Sequence, residues 1–365
     1  MAQERIFPIM SSPFPILSNL PGLQALDPLV FSLQSGMMVM AAVSTAVSYR
    51  LADHLERGPQ TIEELAQHTG THAPSLYLLM RALAAIGIFA EVDEQTHTFA
   101  NTDRSLLLRD TAMADLVRLW SAPYQWHAWQ QLSSTIRTGK PALEGIYGPG
   151  TTIWTFLEEH PEERRIFHRG LTAVSNLIIP AILATYDFSA VRHLVDVGGG
   201  YGNLIVHVLS QYPHLLATLF DQASIIEEAE HARAHDWQQE IAQRATLQVG
   251  NFFQSLPAER DCYILKNVLM DWSDEPYLQI IGNCREAMNP SGCILVIEPV
   301  IGPSTPFTKF FSLQMALMMH AAHHRTLKEH QALFERAGFR LVRALSLGLE
   351  QMLLQFERQE EEESE

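Results

Sequence analysis

The densest chemical signal in the chain is the run Asp196-Val197-Gly198-Gly199-Gly200-Tyr201-Gly202. Gly198, Gly200 and Gly202 alternate, which lets the backbone turn tightly and approach a ligand without a Cβ in the way. The helix that follows presents free N–H groups at its first turn. The spacing is not G-x-G-x-x-G, which disfavours a dinucleotide pyrophosphate. Asp196, just before the loop, suits a cationic or ammonium-bearing ligand. Asp221 stands one strand and helix later, where an acidic residue accepts hydrogen bonds from ribose hydroxyls. A second cluster is His320, His323 and His324. His320 and His324 are four apart, metal-ligand spacing on one helix face, but no third ligand is identifiable and no metal is expected.

These groups need a scaffold to hold them. From residue 193 short apolar runs alternate with helical patterns: 194–197, 218–221, 246–249, 262–265 and 293–297 are strands, and 203–211 and a segment from about 274 are helices. Such alternation predicts an α/β fold with a mostly parallel, Rossmann-like sheet covered on both faces. In that architecture ligands bind outside the carboxyl ends of the strands, where the glycine loop and Asp221 fall.

The N-terminal half reads differently. Thr61 with Glu64 forms a capping box, and a second helix runs about 74–86, followed by β-like runs at 88–92 and 96–100. Helix, helix, hairpin is the winged-helix order. The second helix carries Arg81 alone among basic residues, so protein–protein packing is a better account of it than DNA reading. The 365 residues carry a formal net charge of -16, which also disfavours nucleic acid. Three cysteines fit neither a zinc pattern nor a disulfide framework and predict a reduced, cytoplasmic protein. No leader or membrane span is expected. The organisation read from these patterns is an arm over 1–30, a winged-helix domain suited to protein contact over 31–110, a helical, aromatic-rich region over 111–190 with rings available to line an apolar pocket, a Rossmann-like domain over 191–357 and an acidic tail over 358–365.

From about residue 40 to 357 the chain resembles the small-molecule O-methyltransferases that use S-adenosylmethionine. The resemblance rests on ordered segments: TIEELA, SLYLLMRAL, TGKPALEGIYG, LVDVGGGYGNL, LFDQASII, VGNFFQSLP, ILKNVLMDWSDE and RTLKEHQALFERAGF. It implies a homodimer formed through the N-terminal half and a small apolar, aromatic or polyketide-like substrate. Carried over by position, Gly198, Gly200 and Gly202 contact the methionine part of the cofactor, Asp221 holds the ribose, Asn251 and Phe252 flank the adenine, and Lys266 lies near the cofactor. The family usually has Asp where Asn251 stands; the amide keeps an acceptor carbonyl. Trp126, Phe167, Leu171, Met315, Met319 and His320 are the expected substrate-side residues, Leu171 at a position where the family often clamps the substrate ring with Met.

One position departs from the pattern. Before Asp271-Trp272 the family has a histidine that takes the proton from the substrate hydroxyl, and here the residue is Met270. A thioether cannot act as a base. Ionising a phenol of pKa about 10 at neutral pH costs about 4 kcal/mol, and general-base catalysis is worth roughly 10²–10⁴-fold. Of the two carboxylates that usually flank that histidine, Glu298 is retained; the other position is His324. Three readings follow: His324 or His323 is a relocated base; the nucleophile, an acidic enol, thiol, amine or electron-rich carbon, needs no such base; or the cofactor is retained without methyl transfer, for hydroxylation, decarboxylation or a pericyclic step. A non-enzymatic winged-helix regulator is a further alternative.

Overall fold

Thr61 Oγ1 accepts the Glu64 N–H at 3.3 Å, and the Glu64 carboxylate accepts the Thr61 N–H at 2.8 Å. This reciprocal cap starts helix Ile62–Thr69, and Gly70 ends it in the left-handed conformation with φ 65°. The computed structural model describes residues 28–110, 112–320 and 323–359. They form two units that divide between Ala122 and Pro123.

In the first unit, helices Pro28–Ser48, Ile62–Thr69 and Ala73–Ala85 accompany a sheet of β1 (Gln60–Thr61), β2 (Phe89–Asp93) and β3 (Thr98–Asn101), ordered β1-β3-β2 and antiparallel. Leu51, Leu65, Leu76, Met80, Leu83, Phe89 and Phe99 close its core. This is the winged-helix arrangement expected. Arg81 lies over the ring of Tyr77 on its own helix, 5.2 Å from the centroid, and Leu78 on the same helix is 66% exposed. An apolar outward face with one engaged cation suits protein contact rather than a phosphate backbone.

The second unit begins with helices Pro123–Gln130, Leu132–Thr138, Ala142–Tyr147, Ile153–Glu159 and Pro161–Thr185. The last of these is long and apolar enough to cross a bilayer. Its Ile178, Ile179 and Ile182 instead pack into the core beneath the sheet. That sheet has seven strands ordered β6-β5-β4-β7-β8-β10-β9. β4 (His193–Val197), β5 (Leu216–Asp221), β6 (Ala245–Val249), β7 (Arg260–Lys266) and β8 (Met288–Pro299) are parallel. β9 (Phe339–Gly348) and β10 (Gln351–Arg358) form an antiparallel hairpin on the β8 edge. The sequence reading missed this hairpin.

Alternation along the strands assigns the functional side chains to faces. Leu194, Cys262, Ile264, Leu295 and Ile297 enter one core; Val195, Val197, Tyr263, Leu265, Ile294 and Val296 enter the other. By the same period Asp196 and Lys266 belong to the face covered by helix Pro161–Thr185. Glu298 belongs to the face covered by helices Asp274–Ala287 and Leu327–Arg336.

Some boundaries differ from the sequence reading. Helix Pro28–Ser48 begins inside the segment assigned to an arm, and Arg358 is the last residue of β10 rather than the first of a tail. The rest of that arm and residues 360–365 lie outside the described residues. Helix Leu327–Arg336 starts with a second capping box, Thr326 with Glu329. Thr326→Ala removes it and is expected to cost about 1 kcal/mol, read as a lower denaturation midpoint for the second unit. An unchanged midpoint contradicts this role.

Candidate active site

The glycine loop follows the carboxyl end of β4. Gly198, Gly200 and Gly202 have φ of 67°, 61° and 80°, the left-handed region that glycine enters freely. Close packing constrains the loop as well. A Cβ on Gly199 would lie 2.5 Å from the Asp196 carboxyl carbon and from Leu219, and one on Gly202 would lie 2.7 Å from Trp237. A Cβ on Gly200 would meet nothing within 4 Å, so the loop is open on that side.

Asp196 lies directly behind the loop. It is fully buried, and neither carboxylate oxygen has a hydrogen-bond partner among the described residues. Burial raises its pKa to about 7, against the opposing pull of Lys266. Lys266 is itself held below its ordinary pKa by burial, and its Nζ donates to Ser175 Oγ at 2.8 Å. Asp221 is prepared differently. Its Oδ2 accepts the Gly200 N–H at 3.0 Å and its Oδ1 the Gln222 N–H at 2.7 Å. A carboxylate has about four lone-pair sites, so two remain for vicinal hydroxyls. Burial still raises its pKa.

Next along the strand ends, Asn251 Oδ1 accepts the Phe253 N–H at 2.9 Å. One lone pair of that carbonyl remains for an amine. The Phe252 ring faces Gly198 and meets Phe253 edge-on at 4.8 Å between centroids. An unpartnered buried acid, an oriented diol acceptor and an aromatic wall around an open glycine turn fit S-adenosylmethionine, which carries a cationic sulfur, an ammonium group, a ribose diol and an adenine.

The reaction side lies beyond β7 and β8. Met270 is buried, and its N–H donates to Glu298 Oε2 at 3.3 Å. Glu298 is also buried, and its pKa is pushed up to about 8. Its Oε1 stands 3.4 Å from His330 Nε2, a contact too poorly aligned to be a hydrogen bond. His330 Nδ1 pairs with the Tyr277 hydroxyl at 2.8 Å, and burial lowers the imidazole to about 3. Arg325 is buried beside them, its guanidinium 4.6 Å from the Tyr277 ring centroid and 2.8 Å from Asp274. Burial and the neighbouring Glu298 hold the Asp271 carboxyl far above its ordinary value. Glu298 and His330 are therefore both largely uncharged at neutral pH. Sequence reasoning missed His330, Tyr277 and Ser175; a histidine inside the capped RTLKEHQAL helix was the available signal for the first.

The three clustered histidines separate. Helix Pro306–Met318 ends before them and the next begins at Leu327, so His320 and His324 do not share a helix face. That corrects the metal-like spacing, and among the described residues no group of three or more suitable ligands occurs. His320 pairs with Glu144 at 3.0 Å near the surface. His323 is exposed and donates its N–H to the Met270 carbonyl at 3.1 Å. His324 is buried; its Nδ1 pairs with Ser312 Oγ at 3.0 Å, its Nε2 has no hydrogen-bond partner among the described residues, and burial lowers it to about 4.

Met315 and Met319 are buried, and the neighbouring Gln314 pairs with Gln125, next to the half-buried Trp126. Phe167 packs edge-on against Trp154 at 5.8 Å. Leu171 is 37% exposed, one turn before Ser175 on the same helix.

A family model for the O-methyltransferase domain matches residues 129–340, and one for the O-methyltransferase dimerisation domain matches residues 31–110. The chain belongs to the S-adenosylmethionine-dependent O-methyltransferases. It is 32% identical to a mitomycin biosynthesis 6-O-methyltransferase of Streptomyces lavendulae over 326 residues, 89% of this chain and 92% of that protein. It is 33% identical to an aclacinomycin 10-hydroxylase of Streptomyces purpurascens over 315 residues, 85% of this chain and 82% of that one. Among solved structures it is similar to an O-methyltransferase from neocarzinostatin biosynthesis in complex with S-adenosylmethionine and 2-hydroxy-5-methyl naphthoic acid. The TM-score is 0.72 at 31% identity, with 88% of this chain and 96% of that one covered. The protein is thus an S-adenosylmethionine-dependent methyltransferase and, through its dimerisation domain, a homodimer.

Two outcomes test the cofactor side. Because Asp196 ionises near pH 7 and only the carboxylate attracts a cation, affinity for S-adenosylmethionine is expected to rise between about pH 6 and 7.5. Asp196→Asn should weaken binding by about 10–100-fold and abolish that slope, as read by calorimetry. A slope that survives in the variant excludes Asp196. Gly199→Ala should destabilise the fold by about 1–3 kcal/mol through overpacking, and an unchanged melting midpoint contradicts it.

Proposed function

We propose that the enzyme methylates a hydroxyl that is already acidic, on a small aromatic or polyketide-like metabolite, and that Met270 marks the absence of a dedicated base. The observation that carries the reading is the buried Met270–Glu298–His330 arrangement. The carboxyl group is retained, but the imidazole nearest to it comes from helix Leu327–Arg336 and points its other nitrogen at Tyr277.

Magnitudes weigh against the relocated-base reading. A proton moving from a phenol of pKa about 10 to His324, at about 4, travels roughly six units uphill, about 8 kcal/mol. Moving it to Glu298 is blocked because that group, at about 8, already holds its proton at neutral pH. A hydroxyl made acidic by an adjacent carbonyl or quinone avoids both costs. On this reading the neutral His324, with Nε2 unpartnered, offers a hydrogen bond that positions the substrate oxygen. Asp271, His323 and His320 then act on the shape of the pocket rather than on the proton. Leu171, Trp126, Phe167, Met315 and Met319 supply apolar surface for the ring system. Bound S-adenosylmethionine supplies the electrophilic methyl group. Asp196, Asp221, Lys266 and the glycine loop hold the cofactor in place. The three free, buried cysteines suit a reducing, cytoplasmic compartment.

A second reading rests on one similarity. A relative sharing 33% of its residues is named a hydroxylase, and a site without a base is also compatible with chemistry that leaves the methyl group on the cofactor.

Assays with a graded series of hydroxynaphthalenes separate these. kcat/KM should rise as acceptor pKa falls towards 7, with one S-adenosylhomocysteine formed per turnover. A flat series overturns the acidic-hydroxyl reading, and turnover without S-adenosylhomocysteine favours the second. His324→Ala should change kcat by no more than about tenfold, the scale of one neutral hydrogen bond. A loss of 10² or more, of the size of general-base catalysis, restores His324 as the base. Met270→His should raise the rate on the least acidic members by about tenfold or more.

A further inference from the structure

On the far side of the second unit, away from the glycine loop, a cleft of about 660 Å³ lies where helices Asp274–Ala287 and Leu327–Arg336 meet the end of β10. Arg285, Arg336 and Arg358 line it, against a single acid, Glu286, with Ala337 at its edge. None of the three arginines has an ion-pair partner among the described residues. Arg358 uses Nη2 on the carbonyls of Arg285 and Met288, and the buried Nε atoms of Arg285 and Arg358 have no hydrogen-bond partner among the described residues. Arg285 and Arg336 stand in the last turns of their helices, where the helix dipole favours cations. That accounts for their positions but not for Arg358, which arrives on a strand. Three guanidiniums converge on a cleft with one acid, in a chain of net charge -16.

The chain contains a complementary segment. Residues Glu360, Glu361, Glu362, Glu363 and Glu365 begin two positions after Arg358. They lie outside the described residues. Just before them the Gln359 N–H donates to the Gly338 carbonyl at 2.9 Å, which fixes the departure point beside Ala337 at the cleft edge. Six extended residues reach about 20 Å, ample for a cleft that Arg358 itself lines. Attachment also raises the local concentration of carboxylate to the millimolar range. We propose that the glutamate run 360–365 is the ligand of this arginine cleft. It would pin the end of β10 to the two helices that carry Tyr277 and His330.

The test uses inorganic pyrophosphate as a probe for the cleft. A chain ending at Gln359 should bind pyrophosphate at low salt at least about tenfold more tightly than the full chain. Replacing the glutamates of the run by Gln should reproduce that gain, and Arg336→Ala in the shortened chain should abolish it. Equal affinity in the full and shortened chains overturns the proposal, because the run would then not compete. Failure of the shortened chain to bind overturns it too, because the cleft would then not take anions. A chain ending at Gln359 keeps every described residue, so its folding can be checked by an unchanged melting profile at high salt, where the charge contribution is screened.

Discussion

Half-buried Asp271 and buried Glu298 stand at the carboxyl ends of β7 and β8; burial raises both carboxyl groups above their ordinary range, Glu298 to about 8, and Glu298 raises Asp271 further. Two carboxylates cannot both keep their charge in a dry site without cations between them. The nearest fixed cation, Arg325, lowers Glu298 only in part and is itself committed to Asp274 and to the carbonyls of Leu269 and Trp272. On the proposed reading, the reaction side follows from this constraint. Met270 is tolerated because a neutral acid needs no imidazole partner. His330 stays neutral because burial, helped by the nearby Arg325, disfavours its charged form. The burden of supplying an anion passes to the substrate.

The cofactor side obeys the opposite logic. There, an acid is kept buried with neither oxygen partnered, which costs folding energy until a cation arrives. Gly199 enforces the arrangement, since any side chain there would collide with that carboxyl group. Lys266, whose charge pulls on Asp196, is tethered to Ser175 on the covering helix. The site is thus built with a deficit of positive charge at one strand end and of negative charge at the other.

Much of this was legible in the chain's letters. The alternating glycines and the two aspartates carried their meaning locally, because a turn with positive φ and a strand-end acid are properties of a few neighbouring residues. Thr61 and Glu64 marked their helix for the same reason. The antiparallel hairpin of β9 and β10 was harder to read. β10 mixes buried Gln351 and Gln355 with Leu353, Leu354 and Phe356, so its pattern is neither alternating nor continuously apolar. The histidines misled because helical spacing was assumed across a segment where the helix ends at Met318. His330 was invisible as a partner of Glu298, since the two are 32 positions apart and meet only when β8 and the covering helix pack. The departure at Met270 was plain from the sequence. Its consequence, an acid left neutral rather than a base relocated, needed the three-dimensional surroundings.

The central claim is that the substrate oxygen enters the site as an anion because no group there removes its proton. A coloured acceptor such as a hydroxynaphthoquinone reports this directly, since its absorption differs between neutral and ionised forms. Titrating it while bound to the protein with S-adenosylhomocysteine should show the ionised spectrum at pH 7, with an apparent pKa that His324→Ala raises by no more than about one unit, the scale of one hydrogen bond. A bound acceptor that stays neutral at pH 7 and is nevertheless methylated on addition of S-adenosylmethionine would contradict the account.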